Sequence, residues 1–332
     1  MIWVSWRRQR AQLLTLLGLL VVGAGVITLL RSNMLDAIAS AQLTDCVTRP
    51  LQECTAPTGV IKNFYASWSD TMEKGEMLII FAPALIGVFI GAPLFARELE
   101  QGTHVLAFTQ SVSRTRWMAS KLVIALVPAL VLLAALQSLV TWWLSAAGSL
   151  GPLDGSPFST GIFSISHVSP VAYALFAFAL GTFIGVMSRR TLVAMTAGLG
   201  AFVAVRFALA GLAYRLLPTQ RQEVTPDKEL SARTDGSLVM NHGYLDAAGQ
   251  PVPQDKVTAL TEACKTVPQG QGTADTQQQF LECLPKSGLA KSFADYVPES
   301  LAWQAHLYDA AIFGVLAVAL LAGTTWALRR QS

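Results

Sequence analysis

The feature that most limits what this chain can fold into is a set of six apolar runs, each long enough to cross a membrane. A spanning helix needs about 20 mostly apolar residues, because the bilayer core offers no water to pair with its backbone. None of the runs alternates polar and apolar residues as a barrel strand does. They cover approximately residues 11–30, 77–96, 122–147, 170–187, 192–217 and 307–328. The sequence therefore predicts an all-α integral membrane protein with six transmembrane helices.

The basic residues predict how these helices are oriented. They lie before the first run, between the second and third, between the fourth and fifth, and after the sixth: Arg7, Arg8, Arg10, Arg97, Arg114, Arg116, Lys121, Arg189, Arg190, Arg329 and Arg330. Because Lys and Arg concentrate in cytoplasmic loops, we expect a multi-pass plasma-membrane protein with both termini in the cytoplasm. A cleaved signal peptide is the alternative, since small residues at 37–41 resemble a cleavage site.

Three connections are then predicted to lie outside the cell, at residues 31–76, 148–169 and 218–306. The segment 148–169 suits either an interfacial, partly re-entrant segment or a plain connector. The last is too long for an unstructured connection. Short strands at 238–240 and 243–246 and helices at 256–265 and 275–284 make it a small mixed α/β domain.

The predicted organisation has three parts. Residues 1–217 hold the first five spans, with the extracellular loop 31–76 and a cytoplasmic region at 97–121; residues 218–306 form the extracellular domain; and residues 307–332 form the sixth span and a cytoplasmic tail.

The four cysteines agree with this topology, because all lie in the predicted exterior segments. The local pairs, Cys46 with Cys54 and Cys264 with Cys283, close the shortest loops, and an oxidising exterior would keep them as disulfides. Four unpaired thiols are the alternative. Metal binding is disfavoured, since there is no CxxC and no chelating His pair.

Several kinds of chemistry are excluded by missing motifs. The dipeptide Gly-Lys is absent, so the chain cannot build the phosphate-binding loop GxxxxGK[ST]. There is also no HExxH and no GxSxG. We therefore expect no enzyme, and no cofactor or metal bound by this chain. A net charge of +3 is too small to indicate a nucleic-acid partner.

One charged residue lies deep inside an apolar run. Arg206 should face a partner, a cavity or water, because an Arg at that depth costs between about 2.5 and more than 10 kcal/mol. Asp309, or carbonyl groups freed near Pro83 or Pro128, could supply that partner. A structural ion pair, contact with a polar substrate and snorkelling toward the membrane surface all remain open.

Two GxxxG motifs predict close helix packing. Gly87 and Gly91 lie in the second run, and Gly181 and Gly185 lie in the fourth. The contact could form within one chain or between two copies.

The polar stretch 95–121 separates the second and third runs. Gly102 favours the end of one helix, and Thr103 is a good N-cap for another. Val105, Phe108 and Val112 then fall on one face. The pattern predicts a short amphipathic helix held between two spans, with a solvated connector as the alternative.

At these positions the chain resembles the permease subunits of type-2 (ABC-2) ABC exporters, particularly those of actinobacteria. The residues that carry the resemblance are 82–87, 91–94, 97–104, 109–114 and 117–121, with a second patch at 170–181 and 189–191. The resemblance implies that the short helix is a coupling helix that docks on a separate cytoplasmic ATPase. The positions that would form or brace this contact are Arg97, Glu98, Glu100, Gly102, Thr103, His104, Leu106, Phe108, Gln110, Ser113 and Arg114.

The resemblance also implies the partners. ATP and Mg²⁺ would bind the ATPase, a second permease copy or homologue would complete the transporter, and membrane lipid would surround it. Alternating access would export an amphiphilic substrate such as a drug, lipid or peptide. The alternatives are a membrane sensor or immunity partner that binds an extracellular ligand through its exterior domain, and an unrecognised membrane enzyme.

Overall fold

The computed structural model describes residues 2–101, 114–226, 236–265 and 274–330. Its helices are α1 (Ile2–Ser40), α2 (Thr44–Thr48), α3 (Thr58–Ile86), α4 (Ala92–Glu100), α5 (Arg114–Leu144), α6 (Thr160–Ile165), α7 (Ser169–Ser188), α8 (Thr191–Ala208), α9 (Leu212–Arg215), α10 (Gln254–Lys265), α11 (Ala274–Lys286) and α12 (Ala302–Arg330). A π-helical segment, Gly87–Gly91, joins α3 to α4.

Six stretches of the described residues are long and apolar enough to cross a membrane: Leu13–Ser40, Thr58–Glu100, Trp117–Leu150, Ser169–Ser188, Thr191–Arg215 and Glu299–Arg330. The predicted all-α membrane fold is confirmed. The chain divides into two units. The first comprises Met1–Asp154, Thr160–Ala213 and His306–Ser332, and the second comprises Gly155–Ser159 and Tyr214–Ala305.

In the first unit, α7 is the central span. Of its apolar window 67% is buried, against 6% for α1. One core lies between α7, α8 and α12, where the Phe176 and Phe313 ring centroids are 5.4 Å apart and Phe202 packs beside them. A second core lies between α1, α3 and α5 around the fully buried Trp143.

The connection between the first two spans is shorter than the sequence indicates. Within 31–76, α1 continues to Ser40 and α3 begins at Thr58. Arg31 follows the first apolar run and Glu76 precedes the second, but the helices continue past these charged residues. Both extensions bury one face, because Met34, Phe64 and Met72 belong to the core between α1, α3 and α5. The Cys46–Cys54 disulfide closes the remaining turn.

The second unit combines a sheet with a helix pair. The strands β1 (Gln220–Val224), β2 (Leu238–Leu245) and β3 (Lys291–Val297) form an antiparallel sheet in the order β1-β3-β2. The two strands predicted at 238–240 and 243–246 are one strand with an irregular register between Val239 and Asn241. The predicted small mixed region is thus confirmed.

A disulfide-linked helix pair and ion pairs between strands connect the parts of this unit. The Cys264–Cys283 disulfide joins α10 to α11, and Val257 and Leu284 pack beside it. Both predicted cysteine pairings are confirmed. Arg221 Nε donates to Asp295 Oδ1 at 2.7 Å, across β1 and β3, and this hydrogen bond lowers the pKa of Asp295.

The four GxxxG glycines meet at one seam within the chain. A Cβ atom added to Gly87 or Gly91 would lie 2.7 Å from the backbone carbonyl oxygen of Ala177 or Phe178, respectively, in α7. One added to Gly185 would lie 2.6 Å from the Ala92 carbonyl oxygen. Gly181 faces the Gly87 carbonyl group. The π-helical segment and α4 therefore approach α7 backbone to backbone.

We expect Gly185→Ala to destabilise the protein by about 1–3 kcal/mol, because the new methyl group meets a backbone atom that cannot move aside. The matched control is Gly314→Ala in α12, where an added Cβ atom meets nothing within 4 Å. Thermal unfolding of the purified chain in detergent micelles measures the difference. Equal unfolding temperatures for the two variants would contradict the close packing of this seam.

Candidate functional site

The structure describes only part of the predicted ATPase-docking region. Arg97, Glu98 and Glu100 lie in the last turns of α4, and Arg114 is the first residue of α5. The other predicted docking residues lie outside the described residues: Gly102, Thr103, His104, Leu106, Phe108, Gln110 and Ser113. Val105 and Val112 lie there too. The short amphipathic helix therefore stays a prediction.

A salt bridge fastens the end of α4 to the start of α5. It joins the Lys121 ammonium to the Glu98 carboxylate, whose side chains are 15% and 23% exposed, respectively. The Lys121 Nζ atom also lies 4.4 Å from the centroid of the Trp117 ring, and Trp117 packs on Phe95. Because water is largely excluded, losing one partner costs more here than at an exposed ion pair.

A second contact joins the end of α4 to the start of α8. Glu100 Oε2 accepts hydrogen bonds from Thr191 N at 3.1 Å and from Thr191 Oγ1 at 2.8 Å. Thr191 is the first residue of α8. A carboxylate is well placed there, because the N-terminus of a helix carries partial positive charge. The turn before it is tight, with Arg189 in the left-handed region at φ 53°.

These two contacts bracket the segment 102–113. Glu98 and Glu100 precede this segment in α4, and Lys121 follows it in α5. The hydrogen bond from Thr191 to Glu100 joins α8 to the end of α4. We call Glu98, Glu100, Lys121 and Thr191 the bracket. The sequence indicated its members singly, as basic topology signals or as positions of the resemblance, but not their pairing.

Arg206 belongs to a group of polar side chains between the spans. Its Nη2 atom donates to Ser164 Oγ at 3.4 Å, and its guanidinium carbon lies 3.6 Å from the centroid of the Tyr173 ring. The position over an aromatic face suits a cation that has left water. The sequence offered Asp309 and carbonyl groups near Pro83 or Pro128 as candidate partners of Arg206; among the described contacts, Ser164 accepts its hydrogen bond.

Asp309 lies in the same group and is 6% exposed. Its carboxyl group interacts with the side chains of Tyr173 and Ser169 and with the charge of Arg206. Ser169 Oγ in turn lies 2.8 Å from His306 Nδ1. We call this group the polar cluster: Ser164, Ser169, Tyr173, Arg206, His306 and Asp309.

The polar cluster joins four helices, because its members come from α6, α7, α8 and α12. Arg206 and Asp309 interact electrostatically, and both contact Tyr173. The sequence predicted that these two residues could interact. Among the described salt bridges, however, they form no direct ion pair. The His306 ring also stacks on Phe163, with centroids 4.0 Å apart. Neighbouring His167 lies 4.5 Å from the His306 ring, and burial lowers the pKa of His167.

Within the described part of the chain, no group of three or more His, Cys, Asp or Glu side chains could hold a metal ion.

One comparison with known proteins gives a match. A family model described as ABC-2 membrane transporter related matches residues 17–214, which is more than half of the chain. No curated protein and no solved structure matches the chain. The matched region contains the bracket and Arg206, and it ends where the second unit begins its longer segment at Tyr214.

Proposed function

Because the chain belongs to the ABC-2 membrane transporter related family, we propose that it is the permease subunit of an ATP-driven exporter whose ATPase is a separate protein. The chain is a multi-pass membrane component of a transporter. We place both termini in the cytoplasm, since the basic residues between the spans then lie on the cytoplasmic side. The bracket and the segment 102–113 would face the ATPase there.

The observation that carries this proposal is the bracket. A displacement of the segment 102–113 acts directly on α4 and α5, which border it in the sequence. The Glu100–Thr191 hydrogen bonds pass the same displacement to α8. The Glu98–Lys121 salt bridge keeps α4 and α5 from moving apart. A push at this one point can therefore move three spans together, which is what a transporter driven by a separate motor needs.

The polar cluster would carry this movement further. Arg206 lies in α8, and its contacts reach α6 and α7, while Asp309 adds α12. Charged side chains between spans stay paired with one another, because the surrounding lipid offers no other polar partner. We assign the cluster the role of keeping these helices together as they shift.

The remaining parts of the transporter follow from the same proposal. ATP and Mg²⁺ would bind the ATPase, and a second copy of this chain or a homologous permease would complete the path. The substrate would be an amphiphile, such as a drug, lipid or peptide, because it must pass between apolar helices. Export from the cytoplasm is the expected direction.

Copurification tests the proposal. A tagged chain extracted in mild detergent should bring down a protein that contains GxxxxGK[ST], and Phe108→Asp should reduce its recovery at least about tenfold, since a charge on a docking face costs more than about 1.4 kcal/mol. The matched control is Met240→Asp, which changes an exposed apolar residue in β2 of the second unit. Equal recovery of the ATPase with both variants would rule out docking through this segment.

A further inference from the structure

A groove of about 580 Å³ lies between α1, α3, α4 and α5 in the first unit. This volume falls within the usual range for sites that bind small molecules. Its walls are almost entirely apolar, with residues such as Leu16 of α1, Leu78 of α3 and Leu132 of α5. The groove is separate from the polar cluster and from the glycine seam.

Small side chains and the π-helical segment make this surface concave. Ala82 of α3 and Ala129 of α5 both line the groove, where larger side chains would fill it. Phe89, in the π-helical segment, also lines the groove and keeps 63% of its surface exposed. The Phe89 ring is therefore partly open to the surroundings of the groove.

The groove has one charged residue, at one end. Among the described residues that line it, Arg97 alone is charged. No ion pair of Arg97 occurs within the described part of the chain. Along α3 and α4 the lining runs from Leu78 to Arg97, a path of about 28 Å at the rise of a helix. That length is close to the bilayer's hydrocarbon thickness of about 30 Å, and Arg97 directly follows the apolar run 77–96, so we expect Arg97 at the level where lipid headgroups begin.

We propose that this groove binds an acyl chain of an anionic phospholipid of the membrane, with the lipid phosphate paired to Arg97. The apolar walls suit the hydrocarbon chain, and the cation at the end suits a phosphate that carries net negative charge. A zwitterionic lipid offers the same chain but a weaker net attraction. The site thus selects lipids by headgroup charge. This proposal does not depend on an ATPase or on transport.

Native mass spectrometry of the purified chain, delipidated in detergent and free of any ATPase, tests the site. Phosphatidylglycerol and phosphatidylcholine with identical acyl chains are added at equal concentration, and the bound lipids are counted. We expect phosphatidylglycerol to be retained about five-fold more, the preference that one basic residue gives at an anionic surface. Arg97→Gln should abolish the preference, and Arg97→Lys should keep it.

A second pair of variants tests the groove itself. Ala82→Phe should displace both lipids from the site, because the larger side chain fills part of the groove. Val131→Phe is the matched control, because Val131 is an exposed α5 residue outside the lining. Circular dichroism verifies that each variant stays folded. Equal retention of phosphatidylglycerol by Ala82→Phe and Val131→Phe, or an unchanged preference in Arg97→Gln, would overturn the proposal. Binding of both lipids without discrimination in the unmodified chain would do so as well.

Discussion

Glu98→Lys is expected to abolish ATP-driven transport, and the double exchange Glu98→Lys with Lys121→Glu is expected to restore most of it. The single change places two ammonium groups where a salt bridge now joins α4 to α5, at side chains that are 15% and 23% exposed. Breaking a well-buried ion pair costs about 3–5 kcal/mol, and partial exposure places this pair at or below the lower end of that range. The double exchange re-forms the pair with its charges reversed.

The exposed pair Asp70–Lys74 provides the matched control. Its side chains are 73% and 74% exposed, so Asp70→Lys should change stability by less than about 1 kcal/mol and leave transport intact. Transport and ATP hydrolysis are measured on the permease and ATPase reconstituted together in vesicles. Rescue by the double exchange identifies Glu98 as a brace between the two helices. Failure of rescue, with the ATPase no longer copurifying with the double variant, would mean that Glu98 contacts the ATPase directly.

Arg206→Leu is expected to leave membrane insertion intact but to destabilise the folded chain and abolish transport. The change removes the positive charge that acts on the buried Asp309 carboxyl group and leaves the Tyr173 ring and Ser164 without their cationic partner. The cost should lie below the about 3–5 kcal/mol of a broken buried ion pair, because Arg206 is only half-buried and forms no direct salt bridge with Asp309 among the described residues.

The double variant Arg206→Leu with Asp309→Asn separates stability from function. It should regain much of the thermal stability in detergent, since no lone charge remains, yet transport and substrate-stimulated ATP hydrolysis should stay lost. Arg215→Leu is the matched control, because Arg215 is exposed at the end of the same candidate span. Full transport in Arg206→Leu would reduce Arg206 to a packing residue.

Hydropathy and spacing were sufficient to predict the spans, the disulfides and the mixed second unit. A spanning helix satisfies its own backbone, so its apolar run is visible without its neighbours. Local cysteines leave few alternatives, and Cys46–Cys54 and Cys264–Cys283 formed as the loop lengths favoured. The interaction of Arg206 with Asp309 could be anticipated because very few charges occur within the spans.

The contacts that hold the helix ends could not be predicted in this way. Glu98 and Lys121 are 23 positions apart, and Glu100 and Thr191 are 91 apart. Their pairing depends on how α4, α5 and α8 lie beside one another. The groove depends on four helices at once, and nothing in the sequence around Ala82 or Ala129 marks it. A hydropathy pattern also does not detect the polar ends of a helix. The start of α3, well before its apolar run, was therefore not predicted.

The π-helical segment sets the rotational phase of the second span. A π-helical turn holds one residue more than an α-helical turn, and each residue of an α-helix turns the chain by about 100°. If Gly87–Gly91 tightened to α-helix, everything after it would turn by about that angle relative to α3. Glu98 would then leave Lys121, and Arg97 would leave the groove. One turn in the middle of a span therefore decides which way its far end points.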